Sequence, residues 1–229
     1  MEKTGPTGKF VTFEGVEGAG KTTQLRLAVE WLEARGLSVL ATAEPGGTSL
    51  GQKIREILLN RSAWAISAEA ELLLFAAARA QHVREAIMPA LERGQWVLCD
   101  RFSDATLAYQ GFGRGLDAAF IRCLNGFSSR SLSPDLTLLF DLSASVGLAR
   151  ARERAAGLRP EAAEDRFEQE TLAFHGRIRK GYLSLAAEEP DRYRIVDAAR
   201  GIEAIQGDVR RCLETSWRGG SARRDKGER

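Results

Sequence analysis

Gly15, Gly20, Lys21 and Thr22 stand at the spacing G-x-x-x-x-G-K-[ST] within FVTFEGVEGAGKTTQL, residues 10–25. That spacing suits one kind of chemistry. Glycines let the backbone curl until successive N–H groups point inward, and the N-terminus of a following helix adds partial positive charge, so the loop cradles phosphate. Lys21 is placed to neutralise the β- and γ-phosphates of a nucleoside triphosphate, and the Thr22 hydroxyl suits a Mg2+ ion beside them. Val16, Glu17, Gly18, Ala19 and Thr23 complete the candidate loop. Switch GTPases, ATPase motors and small-molecule kinases all use such a loop, so the loop alone does not choose among them.

A phosphate loop of this kind needs a strand before it and a helix after it, and KFVTF and TTQLRLAVEWLEARG read as that pair. Four more short β-rich runs, LSVLAT, QWVLCD, DLTLLFDL and RYRIVDA, alternate with segments whose apolar residues recur at helical spacing. The alternation predicts an α/β fold, a five-stranded parallel sheet flanked by helices. SAEAELLLFAAARAQHVREAIMPALERG, residues 67–94, reads as one long Ala-rich helix with Ser67 as N-cap and Gly94 beyond its end. GLARARERAAGLRPEAAEDRFEQE is dense in Arg and Glu and broken by GLRP, which predicts a mobile helical excursion. The chain reads as a single domain over residues 1–216, and the charged tail from 217 to 229 is expected to fray.

The 229 residues fit one large α/β domain. Lys plus Arg total 33 against 31 Asp plus Glu, so charge points to neither nucleic acid nor a membrane surface. Cys99, Cys123 and Cys212 are too few and too scattered for a disulfide framework or a zinc site, which suggests a reduced compartment. No stretch approaches the roughly 18 apolar residues of a membrane span, and MEKTGPTGK lacks an apolar block, so a cytoplasmic location is expected.

Four further islands fall at the carboxyl ends of the expected strands or on the long helix: EPGGT at 44–48, FAAAR at 75–79, DRF at 100–102 and AYQGFGRG at 108–115. Ligands of open α/β sheets bind at that edge. Together with GVEGAGKTT, these islands resemble the thymidylate kinase family in its bacterial form, in order from about residue 8 to about residue 215. The resemblance implies a P-loop kinase fold with a helical lid at about 150–166, and transfer of the γ-phosphoryl group of ATP to dTMP with Mg2+. It implies that Arg101 grips the dTMP phosphate and that Asp100 faces the metal beside Thr22. Phe75 would stack on thymine and Arg79 would bond a base carbonyl; the two are four apart, on one helix face. Thr106 and Gln110 match positions that read the thymine edge. Tyr109 matches one near the sugar that disfavours a ribose. Glu17, an acid inside a phosphate loop, would face the sugar hydroxyl side of dTMP.

The resemblance also implies a cationic group on the transferring phosphoryl. Some relatives carry that arginine in the phosphate loop, but here Gly18 follows Glu17, so the lid must supply it. Arg154 is the first choice, with Arg150 and Arg152 near the nucleotide, while most arginines of the segment pair with glutamates at i, i+4. Two departures stand out: Ala43 precedes EPGG where arginine is common, and Phe102 follows DR where tyrosine or histidine is frequent. The family tends to homodimers. Two alternatives remain at this point: a kinase for another nucleoside monophosphate or a deoxynucleoside, and a nucleotide-binding switch that transfers nothing.

Overall fold

The structure is a computed structural model that describes residues 8–59, 65–156 and 166–222. Five parallel strands, β1 (Phe10–Glu14), β2 (Val39–Ala43), β3 (Trp96–Asp100), β4 (Leu136–Asp141) and β5 (Tyr193–Asp197), lie in the order β2-β3-β1-β4-β5. All five expected strands are present. β1 sits at the centre and is buried along its whole length, as a continuous apolar run covered on both faces should be. The chain leaves β1 for the outer strand β2, returns to β3, and then crosses to β4 on the other side. This makes the carboxyl end of β1 a topological switch point. Register places Phe13 beside Asp100, Asp100 beside Ala43 and Glu14 beside Leu139, so the chemistry-bearing strand ends share one edge.

Helices α1 (Lys21–Glu33), α2 (Ser49–Leu59), α3 (Ala68–His82), α4 (Met88–Glu92), α5 (Ser103–Thr106), α6 (Ala118–Ser129), α7 (Ala144–Ala156), α8 (Leu172–Glu188) and α9 (Ile202–Ala222) cover the sheet. The long helix expected from residue 67 begins where its cap predicts, with the Ser67 hydroxyl accepting from the Ala70 N–H at 3.2 Å, and Gly94 follows its end at φ 77°. α3 and α4 are joined by a π-helical turn, Val83–Ile87, in which the Met88 N–H reaches the Val83 carbonyl. Pro89 accounts for it: proline has no N–H to donate, and its ring would collide with a carbonyl in a regular helix, so the wider turn accommodates it.

A second π-helical stretch, Leu107–Gly113, continues α5 and carries Tyr109 and Gln110. It packs against α8, where a Cβ on Gly113 would stand 2.8 Å from the Phe174 ring. The first half of the expected excursion is helical, as α7. Gly157 and Pro160 with the rest of 157–165 lie outside the described residues, as do residues 1–7, 60–64 and 223–229. α9 runs through Ala222, beyond the residue 216 at which the sequence reading ends the domain.

Candidate active site

At the carboxyl edge of β1 the loop Gly15–Gly20 carries its glycines at φ 140°, 68° and 82° for Gly15, Gly18 and Gly20. These values are open to glycine and costly for other residues. Gly20 serves as the N-cap of α1 without any side-chain cap, so the first N–H groups of that helix are left for an anion. Lys21 is buried, and its Nζ donates to the Val16 carbonyl at 2.9 Å across the loop. Burial, then the nearby Arg101 guanidinium, lowers its pKa, against the opposing pull of Glu17 and Asp100. Thr22 Oγ1 donates to Asp100 Oδ2 at 2.7 Å, which joins the loop to the end of β3.

α7 braces this loop. A Cβ on Gly18 would fall 2.0 Å from the Gly147 carbonyl oxygen, and one on Gly147 would fall 2.3 Å from the Glu17 carbonyl oxygen. Neither position admits a side chain while the two backbones touch. The same approach that excludes an arginine at residue 18 brings the N-terminal part of an arginine-bearing helix against the phosphate loop.

Arg101 turns the chain at φ 71°, a left-handed conformation that costs a non-glycine residue roughly 1 kcal/mol. Its own N–H donates to the Phe13 carbonyl, and the next N–H, of Phe102, donates to Glu14 Oε1 at 2.7 Å, so β1 clamps both sides of the turn. Its guanidinium donates to the Gly15 carbonyl, the Tyr182 hydroxyl and Glu17 Oε1 at 2.9, 3.2 and 2.7 Å, and lies 4.8 Å from the Tyr109 ring centroid. The Tyr109 hydroxyl donates to the same Glu17 oxygen at 2.7 Å. Burial pushes the Glu17 carboxyl up, but the Arg101 and Lys21 charges and the Tyr109 bond prevail and hold it at about 2. Glu14 has the opposite balance: burial and the Asp104 charge raise it to about 8, although the Tyr182 hydroxyl donates to Oε2 at 2.7 Å.

These groups open into one cavity of about 670 Å³, within the size range of small-ligand sites. Lys21, Thr22, Thr23, Glu17, Gly18, Gly20 and Asp100 line its phosphate-loop end. Arg101, Phe75, Arg79, Thr106, Tyr109, Gln110 and Arg154 also line the cavity. Gly15, Val16 and Ala19 belong to the loop but do not line the cavity. The Arg79 side chain is 1% exposed and tightly held, with Nε on Glu44 at 2.8 Å, Nη1 on Asn125 at 2.7 Å, and Nη2 on Thr106 Oγ1 and the Phe102 carbonyl at 2.8 and 3.2 Å.

Arg154 donates to Glu168 Oε1 at 2.7 Å. Arg150 is outside the cavity lining and turns to the loop after β5, donating to the Ala198 and Ala199 carbonyls. Arg152 is exposed.

Both departures acquire a physical setting. The cavity wall at Ala43 also carries Arg55, from α2, whose Nη1 donates to the Pro45 carbonyl at 2.9 Å. Phe102 is fully buried and meets Phe10 edge-on at 4.9 Å, a packing with no place for a polar tip. Sequence reasoning missed Arg55, Phe167, Glu168 and Tyr182. For Arg55 the amphipathic pattern of SLGQKIREILL was available as a signal. Phe167, 6.2 Å from Phe75 and 5.5 Å from Tyr109, reaches the cavity only through the course of the chain after residue 165. Glu14 and Glu71 look like ordinary strand and helix acids in the sequence, and only burial distinguishes them.

Among the described residues no group of three His, Cys, Asp or Glu gathers as a metal cage, and no helix is long and apolar enough to cross a membrane. The family model "Thymidylate kinase" matches residues 13–209. A thymidylate kinase from Syntrophus aciditrophicus is 58% identical over 205 residues, 90% of this chain and 94% of that one. Another, from Desulfovibrio desulfuricans, is 51% identical over 91% of this chain and 96% of its own. The crystal structure of thymidylate kinase from Ehrlichia chaffeensis superposes with a TM-score of 0.71 at 33% identity, covering 91% of this chain and 99% of that one. The matched span runs from the last residues of β1 into the first half of α9 and takes in every side chain of the cavity, and by that measure the chain belongs to the thymidylate kinase family.

Proposed function

We propose that the protein transfers the γ-phosphoryl group of ATP to dTMP, giving ADP and dTDP. The observation that carries this reading is a single cavity whose two ends suit two phosphorylated ligands, the loop around Lys21 at one end and Arg101 with Phe75, Arg79 and Gln110 at the other. The donor phosphates lie on the loop N–H groups and Lys21. Arg101 holds the dTMP phosphate in its planar fork, at the place where Glu17 now accepts from it. Phe75 stacks on the base, Arg79, Thr106 and Gln110 read its edge, and Tyr109 and Glu17 border the sugar.

An oxygen of the acceptor phosphate forms the new bond to the γ-phosphorus as the bond to the β–γ bridging oxygen breaks, and ADP leaves. That acceptor oxygen is already anionic at neutral pH, so no general base is required. Arg154 moves from Glu168 to the equatorial oxygens of the group in transfer, where charge collects. Arg150, bonded to the Ala198 and Ala199 carbonyls outside the cavity, and Arg152 are assigned to the donor-nucleotide side by the family resemblance alone. Thr22 Oγ1 and Asp100 Oδ2, 2.7 Å apart, are the oxygens that would hold Mg2+, which takes few protein ligands and completes its shell with phosphate and water. When bound, the ion supplies charge neutralisation at the β- and γ-phosphates.

The three free thiols fit a reduced cytoplasmic setting. Leu73 on α3 and Phe120 and Phe127 on α6 are exposed and apolar, which supports a homodimer through these helices; dTMP and ATP are the small-molecule partners of the proposed reaction. A coupled ADP-release assay over a panel of monophosphates tests the reaction. Turnover with dTMP is expected to exceed that with the other acceptors; ATP binding without acceptor-dependent turnover would instead mark a nucleotide switch.

A further inference from the structure

We propose that Glu71 is a positioning residue that sets which base the acceptor end takes, by fixing the side-chain amide of Gln110 with its oxygen toward the cavity. The inference rests on the reading that Gln110 faces the base. Glu71, Phe75 and Arg79 recur every four residues along α3 and so share one face. The Glu71 carboxyl is fully buried and accepts four bonds: Oε1 from Gln110 Nε2 at 2.7 Å and Arg114 Nε at 3.3 Å, Oε2 from Arg114 Nη2 at 3.2 Å and Arg166 Nη2 at 2.6 Å. Three of its four partners are guanidinium N–H groups that can only donate, so both of its oxygens serve as acceptors.

Gln110 must therefore turn its NH2 group to Glu71. It is 1% exposed and lines the cavity, so it has no solvent-facing alternative, and its oxygen is the end left for a ligand. An amide oxygen there accepts from a ring N–H, which thymine and uracil carry at N3. Cytosine presents an unprotonated nitrogen at the same place, and two acceptors would face each other. Glu71, which does not line the cavity, thereby selects an oxo-pyrimidine acceptor over an amino-pyrimidine one at a distance.

Glu71→Gln tests this with little change of shape. The two arginines claim its oxygen, its NH2 meets Gln110, and the Gln110 amide must turn over, sending N–H into the cavity. The kcat/KM ratio of dTMP to dCMP is then expected to fall at least about tenfold, with dTMP bearing the loss. A merely structural role would lower both acceptors by one factor, and a ratio kept within about twofold overturns the proposal. Gln110→Leu, assayed beside it, separates the two levels. A ratio unchanged in both variants overturns the base-reading role of Gln110 itself, whereas a ratio changed only in Gln110→Leu overturns the role of Glu71 alone. If Glu71→Gln does not fold, the wild-type enzyme decides: 3-deaza-dTMP, which lacks the ring N–H, should bind at least about tenfold more weakly than dTMP, and equal binding overturns the proposal.

Discussion

Glu14 at the end of β1 and Glu17 three residues on, in the phosphate loop, are shifted in opposite directions, and the pH dependence of stability follows from each. Glu14 is raised from 4.5 to about 8 by burial and by Asp104, so the folded state holds a proton that the unfolded state releases. Its contribution is fully present below about pH 4.5 and is lost as pH rises toward about 8. Glu14→Gln should flatten that decline, leaving the variant more stable relative to wild type at pH 8 than at pH 5, as read from denaturant midpoints at the two values. Glu17 is lowered to about 2 because Arg101 and Lys21 outweigh its burial, so its contribution is present above about pH 4.5 and is lost as pH falls toward 2. Arg101→Ala strands that carboxylate as well as removing the phosphate grip. It should weaken dTMP binding while barely affecting thymidine, which calorimetry of both ligands would show, and Glu17→Gln in the same chain should recover part of the lost stability. Lys21, Arg101 and Thr22 were legible in the sequence because their motifs are local. Glu14 and Tyr182 were not, because the bond between them spans 168 residues and exists only once α8 has packed on the sheet.

The elements explain where the catalytic charge has to come from. Gly18 and Gly147 let the phosphate loop and α7 touch through backbone alone, so the loop can bear no arginine and the helix that excludes it can bring one. Gly147→Ala should push the two apart, raising KM for ATP several-fold and lowering the melting temperature by a few degrees, at about 1–3 kcal/mol for an overpacked contact. Arg154→Ala should lower kcat and kcat/KM by similar factors, at about 2 kcal/mol or more, because in the proposed mechanism the contact is made with the group in transfer and not with the bound ground state. Steady-state kinetics of this variant beside Arg150→Ala and Arg152→Ala, with melting temperatures as a check, reads the difference. The strands and the long helix follow from apolar periodicity and the Ser67 cap. The π-helical turns do not, since one extra residue in a turn leaves no mark on a short apolar pattern, and Pro89 is visible as a breaker without saying how the helix absorbs it.

Across the whole molecule, five parallel strands put the ends of β1, β2 and β3 at one edge, and the long crossovers bring α3, α5 and the π-helical stretch over it. The strand alternation showed this architecture in outline. The strand order, and with it the meeting of residues as distant as Arg79 and Asn125, depends on packing that no local pattern carries. The exposed faces of α3 and α6 predict a dimer at micromolar concentration by light scattering, and Phe127→Glu, at a residue 81% exposed, should shift it toward monomer without unfolding. In the proposed reaction both ends of the cavity act together in one transfer. Direct chromatographic measurement of dTDP formed from ATP·Mg2+ and dTMP tests it. The dTDP formed is expected to equal the ADP released, with both lost in Lys21→Ala; ADP released without matching dTDP would overturn the transfer.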